Sequence, residues 1–254
     1  MDTSLLKAMA QTRRFSLGHP VETKVTPDGK AVLFLRAGSR TPRQTLFEMA
    51  LPGGEAKEIL TPDALLGGKT EELSAEEKAR RERMRVGGTG FVAFGLDPAG
   101  EQVLVSLSGR PYVYNRSTRK AAALPVGAGA AVDARFSPDG KRVAYVRDFN
   151  LYVTSLGGAE AKPFGLAEFV AQEELDRREG YWWSPDSATL LYQATDQSAV
   201  ERLTLTDPAN PGREPYRPFY PRPGKANAEV RLGLVSAKGG ATTWVEWDRA
   251  RYPY

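Results

Sequence analysis

Two adjacent carboxylates, Glu173 and Glu174, lie in a segment that begins apolar and ends aromatic, AEFVAQEELDRREGYWWSPD (167–186). Neighbouring helical residues point about 100° apart, which is a poor arrangement for a shared metal ion. From a short or bent helix the two could still converge on one cation. A peptide's N-terminal ammonium suits them, because it offers three donors and is mostly charged at neutral pH, with a pKa of about 8. The alternative is that the pair lies on the solvated surface of a helix.

The residue types needed for other chemistry are scarce in this chain. It has one histidine, His19, and no cysteine, so thiolate sites and zinc sites built from several histidines are excluded. A Ser-His-Asp triad would have to use His19, and no G-x-S-x-G nucleophile motif occurs. We therefore expect no catalytic residue, no metal and no other cofactor here.

Composition predicts a globular chain built from turns and short strands. The 254 residues are 41% hydrophobic and 26% charged, with 25 glycines and 18 prolines. The net charge of +4 arises from 35 basic and 31 acidic residues, which argues against a nucleic-acid partner. We expect no membrane partner either, because no stretch reaches the roughly 20 apolar residues of a membrane span. The N-terminus has no signal-peptide core, which predicts a cytoplasmic chain, or a periplasmic one if a signal has been removed.

A short turn phrase recurs along the chain, and a run rich in Val, Leu, Tyr and Phe follows each copy. Proline presets φ in such turns, aspartate bonds back to the backbone, and glycine accepts positive φ. The turn prolines are Pro27, Pro98, Pro138 and Pro185, so successive spacings are 71, 40 and 47 residues. A four-stranded propeller blade takes roughly 40–50 residues, so the repeat predicts a β-propeller whose longest spacing carries an insertion. A β-sandwich with chance turns is the alternative.

The insertion is predicted to be a helix within residues 70–86. Ser74 and Glu77 form a capping box, and a polar helix follows through about Arg85. Because the helix is charged nearly all round, we expect it on a surface or projecting into a cavity. It is either a solvated decoration or the carrier of an arginine that meets a ligand or another domain: Arg80, Arg81, Arg83 or Arg85.

The last strands predict the beginning of a further blade. Residues 230–235 and 242–247 are each β-rich, with a turn at 237–240 between them. This gives about four blades plus the start of another. Because an unfinished blade leaves an unpaired edge, we expect the whole chain, 1–254, to be an incomplete propeller taken from something longer.

Several segments resemble one family of peptidases. The segment EFVAQEE (168–174), followed by GYWWSPD (180–186), resembles the double-glutamate motif of dipeptidyl peptidase IV, in the prolyl oligopeptidase family of serine peptidases. Three more stretches are similar to its bacterial branch: 73–90, 143–153 and 220–230. The resemblance covers most of the chain from about residue 20 onward.

This resemblance implies an all-β fold, a partial β-propeller of an eight-bladed family with a short inserted helix. It implies that Glu173 and Glu174 bind the ammonium of a peptide substrate with a free N-terminus. Dipeptides are then released, with proline preferred at the second position. It implies a C-terminal α/β-hydrolase domain, absent from this sequence, as a partner, and leaves open a homodimer of the full-length enzyme. An arginine that holds the substrate backbone would come from the inserted helix, and Arg110 is a less favoured candidate for the same role.

Two other interpretations of the sequence stay open. The propeller could be a non-enzymatic protein-interaction module, since such repeats often form binding platforms. The intact enzyme could also release tripeptides. Under the peptidase interpretation this chain alone is expected to be inactive, because it lacks the catalytic Ser-Asp-His.

Overall fold

The computed structural model describes residues 3–74, 77–78, 81–82, 86–156, 177 and 179–253. The chain divides into two compact units. The first comprises Met1–Asp148 and Tyr152–Glu160, and the second comprises Phe149–Leu151 and Ala161–Tyr254. In the described ranges no helix is long and apolar enough to cross a membrane.

The first unit contains three antiparallel sheets. They are β1-β2-β3-β4, with β5 parallel to β3, then β6-β7-β8-β9, then β10-β11-β12. The strands are β1 (Val21–Val25), β2 (Ala31–Gly38), β3 (Thr41–Ala50), β4 (Ala56–Leu60), β5 (Thr89–Gly90), β6 (Phe94–Leu96), β7 (Gln102–Leu107), β8 (Arg110–Asn115), β9 (Lys120–Ala123), β10 (Ala131–Phe136), β11 (Arg142–Arg147) and β12 (Asn150–Ser155). Two short helices accompany them, α1 (Ser4–Gln11) and α2 (Pro62–Leu66).

The three sheets pack face to face, because each has an inner strand, β2, β7 or β11, with consecutive buried residues on both of its faces. Val103 and Val105 of β7 join the first sheet's core around Leu33 and Leu35. Leu104, between them, joins a second core with Tyr145 of β11 and other buried residues. Since alternate strand residues point to opposite faces, one strand serves two cores. Sheets stacked in this way agree with the predicted blades.

Three of the four recurring turns share one hydrogen-bond pattern. Thr26 Oγ1 donates to Asp28 Oδ1 at 2.6 Å and accepts from the backbone N–H of Ala31 at 3.0 Å. The same pattern links Ser137 to Asp139 and Ser184 to Asp186. The hydroxyl hydrogen bond, followed by a backbone N–H, lowers the pKa of each turn carboxyl: Asp28, Asp139 and Asp186. The repeat read from the sequence is therefore a structural repeat.

Successive turns also touch one another. A Cβ at Gly100 would lie 2.6 Å from Pro27 Cδ, and one at Gly140 would lie 3.0 Å from Pro98 Cδ. Gly100 and Gly140 thus each lie against the turn proline of the preceding sheet. This close approach ties neighbouring sheets together at one end.

Alanine at Gly100 is expected to destabilise the fold more than alanine at Gly29. Both glycines have φ +69°, so both alanines carry a similar backbone cost of about 1 kcal/mol. Only at Gly100 does the new methyl group meet a neighbour, because nothing lies within 4 Å of a Cβ at Gly29. The clash should add about 1–3 kcal/mol, measurable by urea unfolding of the two variants. Equal losses would show that the stacked turns are not tightly packed.

The second unit contains the fourth sheet, β13-β14-β15-β16. Its strands are β13 (Tyr181–Trp183), β14 (Thr189–Asp196), β15 (Glu229–Ser236) and β16 (Thr243–Trp244). β14 and β15 pair in unbroken register from Thr189↔Ser236 to Asp196↔Glu229. The all-β prediction, with repeated antiparallel sheets, is confirmed.

One detail of that prediction was wrong. Strands β15 and β16 do not begin a further blade; they complete the fourth sheet. The segment between Asp196 and Glu229 is an excursion within the sheet, in which Leu205 and Tyr216 exchange backbone hydrogen bonds of 2.8 and 3.0 Å. The sequence misled because a proline-rich stretch separates strands that pair in space.

Candidate functional site

The two predicted ammonium-binding residues, Glu173 and Glu174, lie outside the residues that the structure describes, as do Arg80, Arg83 and Arg85. Their role therefore stays a prediction. The structure does describe the chain on the C-terminal side of the acidic pair, at Arg177 and from 179 onward, and part of the inserted helix.

Arg177, three residues after Glu174, is anchored to the fourth sheet. Its Nη1 donates to Gln193 Oε1 on β14 and to the carbonyl of Glu179 at 3.4 Å. Gln193 itself is fully buried. Arg177 is thus attached to an inner strand of the fourth sheet.

Gln193 is a buried partner of Arg177 that sequence reasoning missed. Its backbone N–H donates to the carbonyl of Gly180 at 2.8 Å, and its Nε2 donates to Thr195 Oγ1 at 3.0 Å. A buried amide is stable only when its donors and acceptors are paired, and Arg177 supplies the partner for its carbonyl oxygen. The signal in the sequence was a glutamine directly after the apolar run LLY of β14, TLLYQATD.

The inserted segment begins with the predicted cap. Ser74 Oγ accepts the backbone N–H of Glu77 at 3.2 Å, and Glu77, Lys78, Arg81 and Glu82 are helical. Arg81 Nε contacts Glu77 Oε1 at 2.9 Å, four residues apart. The cap at Ser74 is confirmed.

The expectation that Arg81 could meet a ligand from an exposed helix was wrong. Arg81 is only 5% exposed and Glu77 only 9%. Arg81 Nη2 contacts Glu71 Oε1 at 3.0 Å, and Glu71 Oε2 accepts the backbone N–H of Gly90 at 2.8 Å. The described part of the helix therefore has a buried face, on which the charges of Glu77 and Arg81 are tolerated because they are paired.

This ionic cluster, Glu71, Glu77 and Arg81, closes the base of the insertion. Gly90 belongs to β5, which runs parallel to β3, and the next residue, Phe91, is fully buried. Both ends of the inserted segment are thereby held against the first sheet. Such a base orients whatever the helix presents on its other side.

The two remaining residues considered in the sequence analysis, Arg110 and His19, both lie on the surface. Arg110 is exposed at the start of β8, and His19 is exposed before β1. Across the described part of the chain, no group of three or more His, Asp or Glu residues could hold a metal ion.

Comparison with known proteins gives relatives of one kind. Mouse dipeptidyl peptidase 8 is 26% identical over 207 residues, which cover 66% of this chain and 23% of that protein. A probable dipeptidyl-aminopeptidase B from Podospora anserina is 33% identical over 124 residues, covering 39% of this chain and 13% of that protein. The chain spans less than a quarter of the length of these curated relatives.

The fold comparison agrees with the sequence comparison. The crystal structure of Porphyromonas gingivalis dipeptidyl peptidase 4 superposes with a TM-score of 0.65 over 97% of this chain and 35% of that chain, at 21% identity. That likeness shows the propeller fold. A family model described as the dipeptidyl peptidase IV (DPP IV) N-terminal region matches residues 97–253, more than half of the sequence. The chain therefore belongs to the dipeptidyl peptidase IV N-terminal region family.

Proposed function

We propose that this chain is the substrate-gating propeller part of a serine exopeptidase that releases N-terminal dipeptides, preferably with proline second. Glu173 and Glu174 bind the substrate's ammonium. The chemistry itself belongs to a C-terminal α/β-hydrolase domain in the intact protein. The chain has no G-x-S-x-G motif, so its contribution is positioning.

The observation that carries this proposal is the Gln-Glu-Glu segment at 172–174, inside the part of the chain that the family model matches. Two carboxylates on one ammonium fix the peptide's first residue. Only the bond at a set distance from the amine then reaches the nucleophile, which raises its effective concentration there. A substrate without a free amine leaves the carboxylates unpaired, which gives selectivity.

The described neighbours support a fixed position for the pair. Arg177, three residues after Glu174, donates a hydrogen bond to the buried Gln193 and is thereby anchored to the fourth sheet. A preorganised site loses less entropy when substrate binds. We propose that one of Arg80, Arg83 and Arg85, in the inserted segment, contacts the substrate backbone.

The test uses the intact protein and three chromogenic substrates: Gly-Pro-p-nitroanilide, its N-acetyl form, and a tripeptide ending in proline. The proposal expects turnover of the first alone. Preferred turnover of the tripeptide would instead identify a tripeptidyl enzyme.

A second candidate, a protein-interaction module, is favoured by one feature. In the excursion between β14 and β15, Leu205 is 50% exposed and Tyr216 is 62% exposed. Exposed apolar side chains on a projecting segment are typical of protein contacts. An intact protein with no peptidase activity on any of the three substrates would favour this candidate.

A further inference from the structure

A pocket of about 430 Å³ lies in the first unit between two neighbouring sheets. Its walls come from β4 and the start of α2 on one side, and from β8, β9 and the turn that joins them on the other. Its volume lies within the range of small-molecule sites, about 300–1,000 Å³. None of its described lining residues is assigned to the proposed peptidase site.

The strand pattern explains why the pocket exists. Tyr112 and Tyr114 lie on one face of β8, and their partners on β9 are Ala123 and Ala121. Because alanine is so much smaller than its surroundings, the face is left unfilled beside the edge strand. Leu60 and other apolar residues of β4 and α2 form the opposite wall.

Two polar side chains that line the pocket, Arg119 and Tyr114, are available to bind a ligand. Within the described ranges, neither the Arg119 guanidinium nor the Tyr114 hydroxyl has a hydrogen-bond or ion-pair partner. Tyr114 is 2% exposed, and burial raises the pKa of its hydroxyl, which therefore remains a donor at neutral pH. The Arg119 guanidinium, which can donate two parallel hydrogen bonds, and the nearby buried Tyr114 hydroxyl together suit a carboxylate ligand.

The other lining residues narrow the choice of anion. Glu58 also lines the pocket, and its Oε2 accepts from Thr45 Oγ1 at 2.7 Å. Its negative charge disfavours a doubly charged phosphate more than a singly charged carboxylate. The apolar wall requires that the carboxylate carry an apolar body.

The neighbouring strand edge favours a peptide as the source of that carboxylate. In the described part of the sheet β9 is the edge strand, paired on one side only with β8. Its free edge can pair with an extended segment, as in peptide recognition by strand addition. We propose that this pocket binds the free C-terminal carboxylate of a peptide with an apolar last residue, with the carboxylate on Arg119 and Tyr114.

The experiment measures binding of N-acetyl-glycyl-leucine and of its C-terminal amide to the intact protein by calorimetry or ligand-observed NMR. Acetylation removes the ammonium, so binding does not depend on Glu173 and Glu174, and this proposal and the peptidase proposal can fail separately. We expect the acid to bind about tenfold more tightly than the amide. Equal affinities, or no binding of the acid at about 10 mM, would overturn the proposal.

Variants locate the site. Arg119→Met should reduce the affinity for the acid to that for the amide. Ala123→Leu should abolish binding by filling the pocket, whereas Ala122→Leu should preserve it, because Ala122 pairs with Val113 and points to the other face. The unfolding midpoints of both leucine variants confirm that they fold. If Ala123→Leu folds and still binds the acid, the ligand lies elsewhere and the proposal is wrong.

Discussion

Changing Glu173 or Glu174 to glutamine is expected to lower kcat/KM of the intact enzyme for Gly-Pro-p-nitroanilide by about 30- to 1,000-fold, or about 2–4 kcal/mol of transition-state binding. Glutamine keeps the shape of each side chain but removes the charge that pairs with the ammonium. Because the amine is held before and during the reaction, much of the loss should appear in KM. Steady-state kinetics on the purified variants measure both parameters.

The matched control is Glu214→Gln, which removes an exposed carboxylate from the excursion between β14 and β15. It changes the net charge by the same amount as each test variant. Its kcat/KM should equal that of the unaltered enzyme. An unchanged kcat/KM in both Glu173→Gln and Glu174→Gln would refute ammonium binding by this pair.

Replacing Arg81 with methionine is expected to reduce the free energy of unfolding by about 3–5 kcal/mol. The arginine side chain is 7% exposed and lies between Glu71 and Glu77, whose side chains are 11% and 12% exposed. Without it, two nearly buried carboxylates lose the guanidinium that both of them contact. Urea unfolding followed by circular dichroism gives the loss directly.

Two further variants separate the buried ion pairs from a general effect of charge. Glu82→Gln alters an exposed residue of the same helix and should change stability by no more than about 0.5 kcal/mol. Adding Glu71→Gln and Glu77→Gln to Arg81→Met removes the two carboxylate charges that Arg81 neutralised and should recover part of the loss. A small effect of Arg81→Met alone would mean that water reaches the cluster.

The repeated turns and the strands after them were predictable from the sequence because their causes are local. Proline, aspartate and glycine fix the backbone within four residues, and the hydroxyl of Thr26 or Ser137 closes the turn on its own neighbours. The cap at Ser74 and the Glu77–Arg81 pair are equally local, lying three and four residues apart.

The sequence by itself determined the all-β class, the repeat and the family resemblance, because each depends on short-range patterns. Only the tertiary structure decided that β15 completes the sheet of β14, since that pairing closes a long loop between them. It likewise decided that Arg81 is buried against Glu71 and that Arg177 anchors to Gln193, because burial depends on which distant elements cover a side chain. The sequence of a helix shows which of its residues are charged, but it does not show which distant elements pack against those residues.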